Sequence, residues 1–179
     1  MIWQSQYWKE PLIESAAVLE NFAQQQIELS EEDEAKIERE IFIGFYSIRK
    51  LMDARKITDS TKNFKLVLVW YPNIKKVSVF DYNRPDDLYD FSVANKETRS
   101  LLFICNQIIH SYMFVILVNE QQGFEGIVFC SDKDKDSKLY FMDTRQIVEV
   151  FRLVGNDDPV EYIFERDPVT DELKITRIL

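Results

Sequence analysis

The residues with the clearest chemical potential lie in one short segment, RSLLFICNQIIHSY, which runs from Arg99 to Tyr112. His110 is the single histidine of the chain, and an unperturbed imidazole changes its charge near neutral pH, as acid–base chemistry requires. In a helix, steps of four, seven and eleven residues return close to one direction, because each residue turns by about 100°. We therefore predict a helix over 95–111 that carries Arg99, Asn106 and His110 on one face.

The spacing of Asn106 and His110 resembles part of the motif of HEPN domains, a family of helical ribonucleases. In that family, an arginine and a histidine of one helix stabilise phosphate and cleave RNA by acid–base chemistry, commonly across a dimer. The resemblance implies His110, Asn106 and Arg99 as catalytic residues and single-stranded RNA as the substrate. It covers only the Asn-x-x-x-His unit, because Cys105 occupies the position where the family has its arginine. A thiol cannot make the forked contacts of a guanidinium with phosphate.

Other arginines could supply the missing guanidinium. Arg99 lies two turns away on the same predicted face, and Arg49 and Arg55 would reach it if the second helix packs beside this one. A purely structural role is the alternative, because an imidazole near a helix C-terminus can hydrogen-bond free carbonyls and its positive charge is favoured there. No acid in the sequence identifies itself as a partner that would orient His110 for nucleophilic catalysis. The sequence therefore favours a protein that is not an enzyme.

An acidic segment, SDKDKDSKLYFMD, resembles the oxygen-ligand spacing of a calcium loop. The first, third, fifth and twelfth positions of such a loop would be Asp132, Asp134, Asp136 and Asp143. Ser137 replaces the glycine that the sharp turn needs, and both flanks have the composition of strands, whereas a calcium loop joins two helices. A charged hairpin tip is the alternative, and we predict no cofactor.

Two further features are candidates for binding a partner protein. Glu31, Glu32 and Glu34 belong to the densest run of acids in the chain. Trp3 and Trp8 are aromatic residues near the N-terminus, a type that often anchors protein interfaces. The alternatives are a solvated helix start for the acids and packing of the terminus against the core for the tryptophans.

Composition excludes several classes of protein. The chain has 179 residues and a formal net charge of -9, which argues against binding duplex DNA, because lysine and arginine supply most of that affinity. Its longest apolar run, Tyr112 to Val118, is too short to cross a bilayer, and the N-terminal residues lack the pattern of a leader. Cys105 and Cys130 have no partner at metal-binding spacing, which is typical of small buried residues. These features predict a cytoplasmic protein.

The periodicity predicts a single α+β domain with a helical hairpin over 1–60 and a sheet-rich part over 61–179. The first helix starts at Pro11, and the second starts after Ser30, whose hydroxyl can cap it. The sheet is mostly antiparallel and includes one central helix and one short helix. Its predicted strands are FKLVLVWY paired with KKVSVFDY, then MFVILVNE, GFEGIVFCSD and SKLYFM, and finally a hairpin of VEYIFER and ELKITRI.

The sequence thus leads to two hypotheses about function. The first is a non-enzymatic protein-interaction domain, either an immunity or antitoxin-like factor or a subunit of a larger assembly, with a protein partner or a second copy of itself. The second is a HEPN-like, metal-independent endoribonuclease or RNA-binding domain centred on His110. Both would suit a protein of a defence or toxin–antitoxin system.

Overall fold

The computed structural model describes residues 2–81 and 84–179 and confirms the α+β class. Within these residues the chain forms five α-helices and seven strands, and no helix among them is long and apolar enough to cross a bilayer. The helices are α1 (Gln6–Gln24), α2 (Glu31–Asp53), α3 (Asp59–Lys62), α4 (Leu101–Ile109) and α5 (Thr144–Gly155). The strands are β1 (Lys65–Pro72), β2 (Asn95–Ser100), β3 (Ser111–Val118), β4 (Phe124–Ser131), β5 (Lys138–Asp143), β6 (Tyr162–Arg166) and β7 (Leu173–Ile178).

The N-terminal part is the predicted helical hairpin. α2 begins with a capping box, in which Ser30 Oγ accepts a hydrogen bond from the Asp33 backbone at 3.2 Å and the Asp33 carboxylate accepts one from the Ser30 backbone at 3.0 Å. These contacts with Ser30 lower the pKa of Asp33. α1 starts at Gln6, earlier than the predicted Pro11, because the Ser5 carbonyl accepts the first helical hydrogen bonds and the proline lies inside the helix.

Five strands form one antiparallel sheet in the order β2-β1-β5-β4-β3. Strand β1 pairs on one side with β2 and on the other with β5, where Val69 lies opposite Phe141. Because side chains alternate along a strand, Leu66 and Leu68 point to the face that the helices cover. The predicted antiparallel sheet is therefore confirmed.

The predicted pairing of β1 with the segment KKVSVFDY is wrong. Both edges of β1 are occupied, and residues 75–81 form no strand; Tyr82, the last residue of that prediction, lies outside the described residues. Instead Val77 is buried against the far face of the sheet, and its backbone donates to Asp136 Oδ1 at 2.9 Å. The segment gains its burial by covering a face of the sheet, which explains why its β-branched composition misled the prediction.

The predicted helix over 95–111 is also wrong in its first third. Residues 95–100 are strand β2, which lies in register with β1, and the helix starts only at Leu101. Ser100 ends the strand and caps the helix, since its hydroxyl accepts a hydrogen bond from the Phe103 backbone at 3.3 Å. Cross-strand pairing with β1 thus overrides the helical spacing of the sequence.

Two apolar cores lie on the two faces of the sheet. The larger core is between the sheet and α1, α2, α4 and α5, and at its centre the rings of Phe45 and Phe151 meet edge to face at 5.3 Å between centroids. The smaller core lies on the other face, where Leu88 and Tyr89 from the segment after β1 cover Cys130 and Leu139. Both cysteines are buried and free, as predicted.

The short helix α5 and the last hairpin, β6 with β7, are confirmed. The hairpin is a separate two-stranded sheet that contacts the end of the helical part. Ile178 donates its backbone N–H to Asp59 Oδ2 at 2.9 Å, and the Tyr162 hydroxyl donates to the Arg55 carbonyl at 3.3 Å. These hydrogen bonds hold the hairpin beside the C-terminus of α2.

Candidate functional site

α2 and α4 pack side by side and bring part of the predicted polar site together. Arg49 of α2 donates from Nη1 to Asn106 Oδ1 of α4 at 2.7 Å, and its Nε lies 3.1 Å from the Asp53 carboxylate. Arg49, one of the arginines that the sequence left open, thus contacts Asn106 from the neighbouring helix. His110 lies one turn beyond Asn106 as the C-cap of α4, and its side chain is exposed.

Arg99 does not belong to this cluster. It lies on β2, where its guanidinium donates to Glu97 Oε1 at 2.8 Å and to the Tyr140 hydroxyl at 3.4 Å, and it stacks over the Phe103 ring at 4.4 Å from the centroid. The prediction that Arg99, Asn106 and His110 share one helical face is thus wrong, because the helix begins after Arg99. What remains is a contact of Arg49 with Asp53 and Asn106, with the exposed His110 one turn further along α4.

The two thiols are not available as nucleophiles. Cys105 and Cys130 have no exposed surface. Burial raises the pKa of Cys105 to about 12 and the pKa of Cys130 to about 11. Since the thiolate is the reactive form, neither cysteine is reactive near neutral pH. Cys105, at the position where the HEPN motif has its arginine, is a packing residue of the larger core.

The structure does not bring the four aspartates of the calcium prediction together. Asp143 is the N-cap of α5, where its Oδ1 accepts the Gln146 backbone N–H at 2.8 Å. The other three lie in the turn between β4 and β5, and Asp134 there accepts hydrogen bonds from the Gln107 side chain and from Ser131. Across residues 2–81 and 84–179, no three carboxylate, imidazole or thiol groups converge as metal ligands would.

The two predicted partner-binding features lie at opposite ends of the helical hairpin. Glu31, Glu32 and Glu34 lie in the first turn of α2, and all three are exposed. Trp8 lies beside the last turn of α2, since both line one cavity. The 23 residues of α2 separate these ends by about 34 Å at 1.5 Å per residue. A small epitope of a partner therefore cannot contact both the acids and the tryptophans.

The cavity beside Trp8 has a volume of about 720 Å³ and lies between the start of α1, the end of α2 and the β6–β7 hairpin. We call it the aromatic cleft, and its lining residues are Ile2, Trp8, Lys50, Asp53, Ala54, Arg55, Lys56, Tyr162 and Ile175. Two features distinguish it. Apolar and aromatic side chains come from three separate segments, and three cations come from the end of α2. Trp3 and Tyr7, which adjoin the lining residues Ile2 and Trp8 in sequence, are 88% and 69% exposed.

The electrostatics of the aromatic cleft differ from those of the whole chain. Asp53 is the one carboxylate among its lining residues, and that group already pairs with Arg49. Lys50, Arg55 and Lys56 thus leave a positive surface on a protein of net charge -9. Arg55 adopts a left-handed backbone, with a φ of 55°, as the chain leaves α2. A cleft with ring walls and a cationic rim can accept an apolar side chain flanked by acids.

A second cavity, of about 730 Å³, lies beside the start of α5 and is a weaker candidate for a binding site. Its charges have both signs, and Arg152 there pairs with Glu20 at 2.5 Å. The free amides at the start of α5 are already capped by Asp143. Acids outnumber cations among its lining residues, so this cavity offers no net positive surface to an acidic ligand.

Comparison with protein-family models, with curated protein sequences and with solved structures finds no match to this chain.

Of the residues that line the aromatic cleft, the sequence indicates Trp8 but not Tyr162 and Ile175, which form its other side. Their alternating pattern predicts strands correctly, but it gives no information on where the hairpin docks. The cations at the end of α2 do give a sequence signal for this site, because Lys50, Arg55 and Lys56 stand out in an acidic chain.

Proposed function

We propose that this chain is a non-enzymatic, cytoplasmic protein-interaction domain whose aromatic cleft binds an acidic segment of a partner protein. The observation that carries the proposal is the combination of aromatic walls, Trp8 and Tyr162, with an unbalanced cationic rim in a protein of net charge -9. A partner in an immunity, antitoxin or multi-subunit setting would meet this requirement with an apolar anchor between acidic residues.

The physical basis is the usual division of roles at interfaces. Buried aromatic anchors carry most of the binding energy, and the partner's apolar side chain would gain this energy against Trp8 and Tyr162. Rim cations such as Lys50 and Arg55 steer the encounter and reject basic competitors, while contributing less to the final affinity.

The test compares two charge reversals that change net charge equally. The cleft variant is Lys50→Glu/Arg55→Glu, and the matched control is Lys65→Glu/Lys133→Glu, two exposed lysines away from the cleft. A partner is captured from host extract with the wild-type protein, identified and purified, and its affinity is measured by calorimetry. We expect the cleft variant to lose at least about tenfold in affinity, about 1.4 kcal/mol, and the control to be unchanged.

A third variant, Glu31→Lys/Glu32→Lys/Glu34→Lys, tests the acidic end of the hairpin. We expect it to bind the same partner with unchanged affinity, because those acids lie about 34 Å from the cleft end of α2. Equal binding by the cleft variant and the wild type would contradict the proposal. Loss of binding in the acid variant alone would instead assign the interface to Glu31, Glu32 and Glu34.

The second candidate function is a metal-independent, HEPN-like RNA-acting domain, and one contact favours it. Arg49 reaches Asn106 at 2.7 Å, with the exposed His110 one turn further along α4. This candidate predicts that the protein cleaves single-stranded RNA in the presence of a chelator. His110→Ala should abolish cleavage while the circular dichroism spectrum stays unchanged. RNA that stays intact with excess wild-type protein would remove this candidate and leave the interaction proposal standing.

A further inference from the structure

The two edges of the five-stranded sheet differ sharply in chemistry. The edge strand β2 has the sequence NKETRS and carries Lys96, Glu97 and Arg99. Charges of this kind protect an edge, because another strand cannot pair there without burying them. The opposite edge strand, β3, has the sequence SYMFVILV, with no charge and no proline. An apolar, unprotected edge is the arrangement that favours pairing with another strand.

Burial along β3 is incomplete in a way that its composition does not explain. Its neighbour β4 is buried at almost every position, whereas four consecutive residues of β3, from Phe114 to Leu117, are only half-buried. The pairing with β4 is regular from Met113 to Leu117, with irregularities at both ends. Among the described residues β3 is the last strand of the sheet, so its outward backbone groups have no strand partner.

The exposed surface continues from β3 onto α2. Phe42 of α2 stacks on Phe114 of β3, with ring centroids 4.6 Å apart. On the same side of α2, Ile43 is 56% exposed and Tyr46 is 45% exposed. At 100° per residue, Phe42, Tyr46 and Ile43 fall within an arc of about 100°. We call the regular part of β3 together with Ile43 and Tyr46 the open edge.

We propose that a second copy of this chain pairs along the open edge, so that two β3 strands run antiparallel about a two-fold axis and join the two sheets into one. A two-fold interface must be complementary to itself. With Val115 opposite its own copy, Phe114 lies opposite Ile116 and Met113 opposite Leu117, so apolar residues meet on both faces of the joined sheet. No register of an uncharged strand brings like charges together.

Charge and size also favour a second copy as the occupant. Two chains of net charge -9 repel one another over most of their surfaces, and the uncharged strand β3 is a region where they can approach without opposing acids. Five paired residues span only about 17 Å, and a stable interface buries roughly 800 Å² on each partner. Contact between the two α2 helices through Ile43 and Tyr46 supplies the additional apolar area.

The test measures the oligomeric state of the full chain by sedimentation over a wide concentration range. We expect the wild type to sediment with twice the 21.3 kDa mass of one chain. Val115→Lys places two lysines opposite each other at the axis, and Ile43→Lys charges the helical part of the interface. Each should raise the dimer dissociation constant by at least about tenfold. The matched control is Val67→Lys, at a 53% exposed position on the same sheet face as Val115, and it should leave the dimer intact.

Thermal melting by circular dichroism checks that each variant is folded. If Val115→Lys fails to fold, Ile43→Lys decides the question, because its side chain lies on the surface of a helix. Backbone amide exchange over Met113–Leu117 should slow as wild-type concentration rises. A wild-type monomer at every concentration would overturn the proposal, and so would a dimer that both lysine variants leave unchanged. Neither outcome bears on the aromatic cleft, which draws its walls from other residues.

Discussion

Replacing Phe151 by alanine is expected to lower the free energy of unfolding by about 3–5 kcal/mol, the usual range for a fully buried phenylalanine. Phe151 has no exposed surface, and its ring packs edge to face against Phe45 at the centre of the larger core. The loss is measured by urea denaturation. Phe164→Ala is the matched control, because Phe164 is 51% exposed, and we expect it to change stability by less than about 0.5 kcal/mol.

Gly44 explains why the core is sensitive at this point. A Cβ placed on Gly44 would overlap the Phe151 ring, with Cε1 only 2.9 Å away and two other ring atoms closer. Gly44→Ala should therefore cost about 1–3 kcal/mol through overpacking, even though alanine gains about 1 kcal/mol in helix propensity over glycine. In the Phe151→Ala protein the same substitution should be neutral or stabilising, because the ring is absent.

A double-mutant cycle with Gly44→Ala and Phe151→Ala measures this coupling, and we expect an interaction energy of about 1–3 kcal/mol. Additive effects of the two substitutions would contradict the packing described here. A reversal of sign for Gly44→Ala between the two backgrounds would establish that the ring of Phe151 is the reason for glycine in the middle of α2.

Asp157→Ala is expected to lower the free energy of unfolding by about 2–4 kcal/mol, because it removes a buried carboxylate that accepts hydrogen bonds from another part of the chain. The carboxylate accepts the Thr58 backbone N–H at 3.1 Å and the Thr58 hydroxyl at 2.8 Å. Asp157 is 8% exposed and follows α5, whereas Thr58 caps α3. Its backbone carbonyl also accepts a hydrogen bond from the buried Lys9 side chain of α1.

The adjacent residue provides the control for this substitution. Asp158 is exposed, and Asp158→Ala should change stability by less than about 0.5 kcal/mol in thermal or urea denaturation. Burial lowers the pKa of Lys9, and Asp157 and Asp158 oppose that effect. Since the unfolded chain then binds the Lys9 proton more tightly than the folded one, this lysine makes stability rise with pH as its folded-state pKa is passed. Equal effects of the two aspartate substitutions would contradict the Thr58 contacts.

The elements that the sequence predicted well are those whose signals are local. Ser30 and the acids after it marked the start of α2, because a cap acts within one helical turn. The composition of β4, β5 and the last hairpin identified strands, because β-branched and aromatic residues favour this conformation wherever the strand later docks. The burial of both cysteines was also predicted from local composition, because each lies inside an apolar run.

The errors concern pairings between distant segments. Residues 95–100 have helical spacing with the residues of α4, but register with β1 makes them a strand and removes Arg99 from the helix. Nothing near Asp157 in sequence shows that Thr58 will contact it. The aromatic cleft draws its walls from α1, α2 and the β6–β7 hairpin, so its composition is visible only after these elements have packed.

The strand order has a consequence for how the protein is made. Val69 in β1 pairs with Phe141, 72 positions further along the chain, and α1 packs on α5, which is synthesised still later. At roughly 5–20 residues per second of synthesis, β1 waits on the order of 4–14 seconds after its own translation before β5 exists. During that interval its apolar side chains have no sheet to join on that side. One edge of β1 therefore stays unpaired in the nascent chain until β5 has been synthesised.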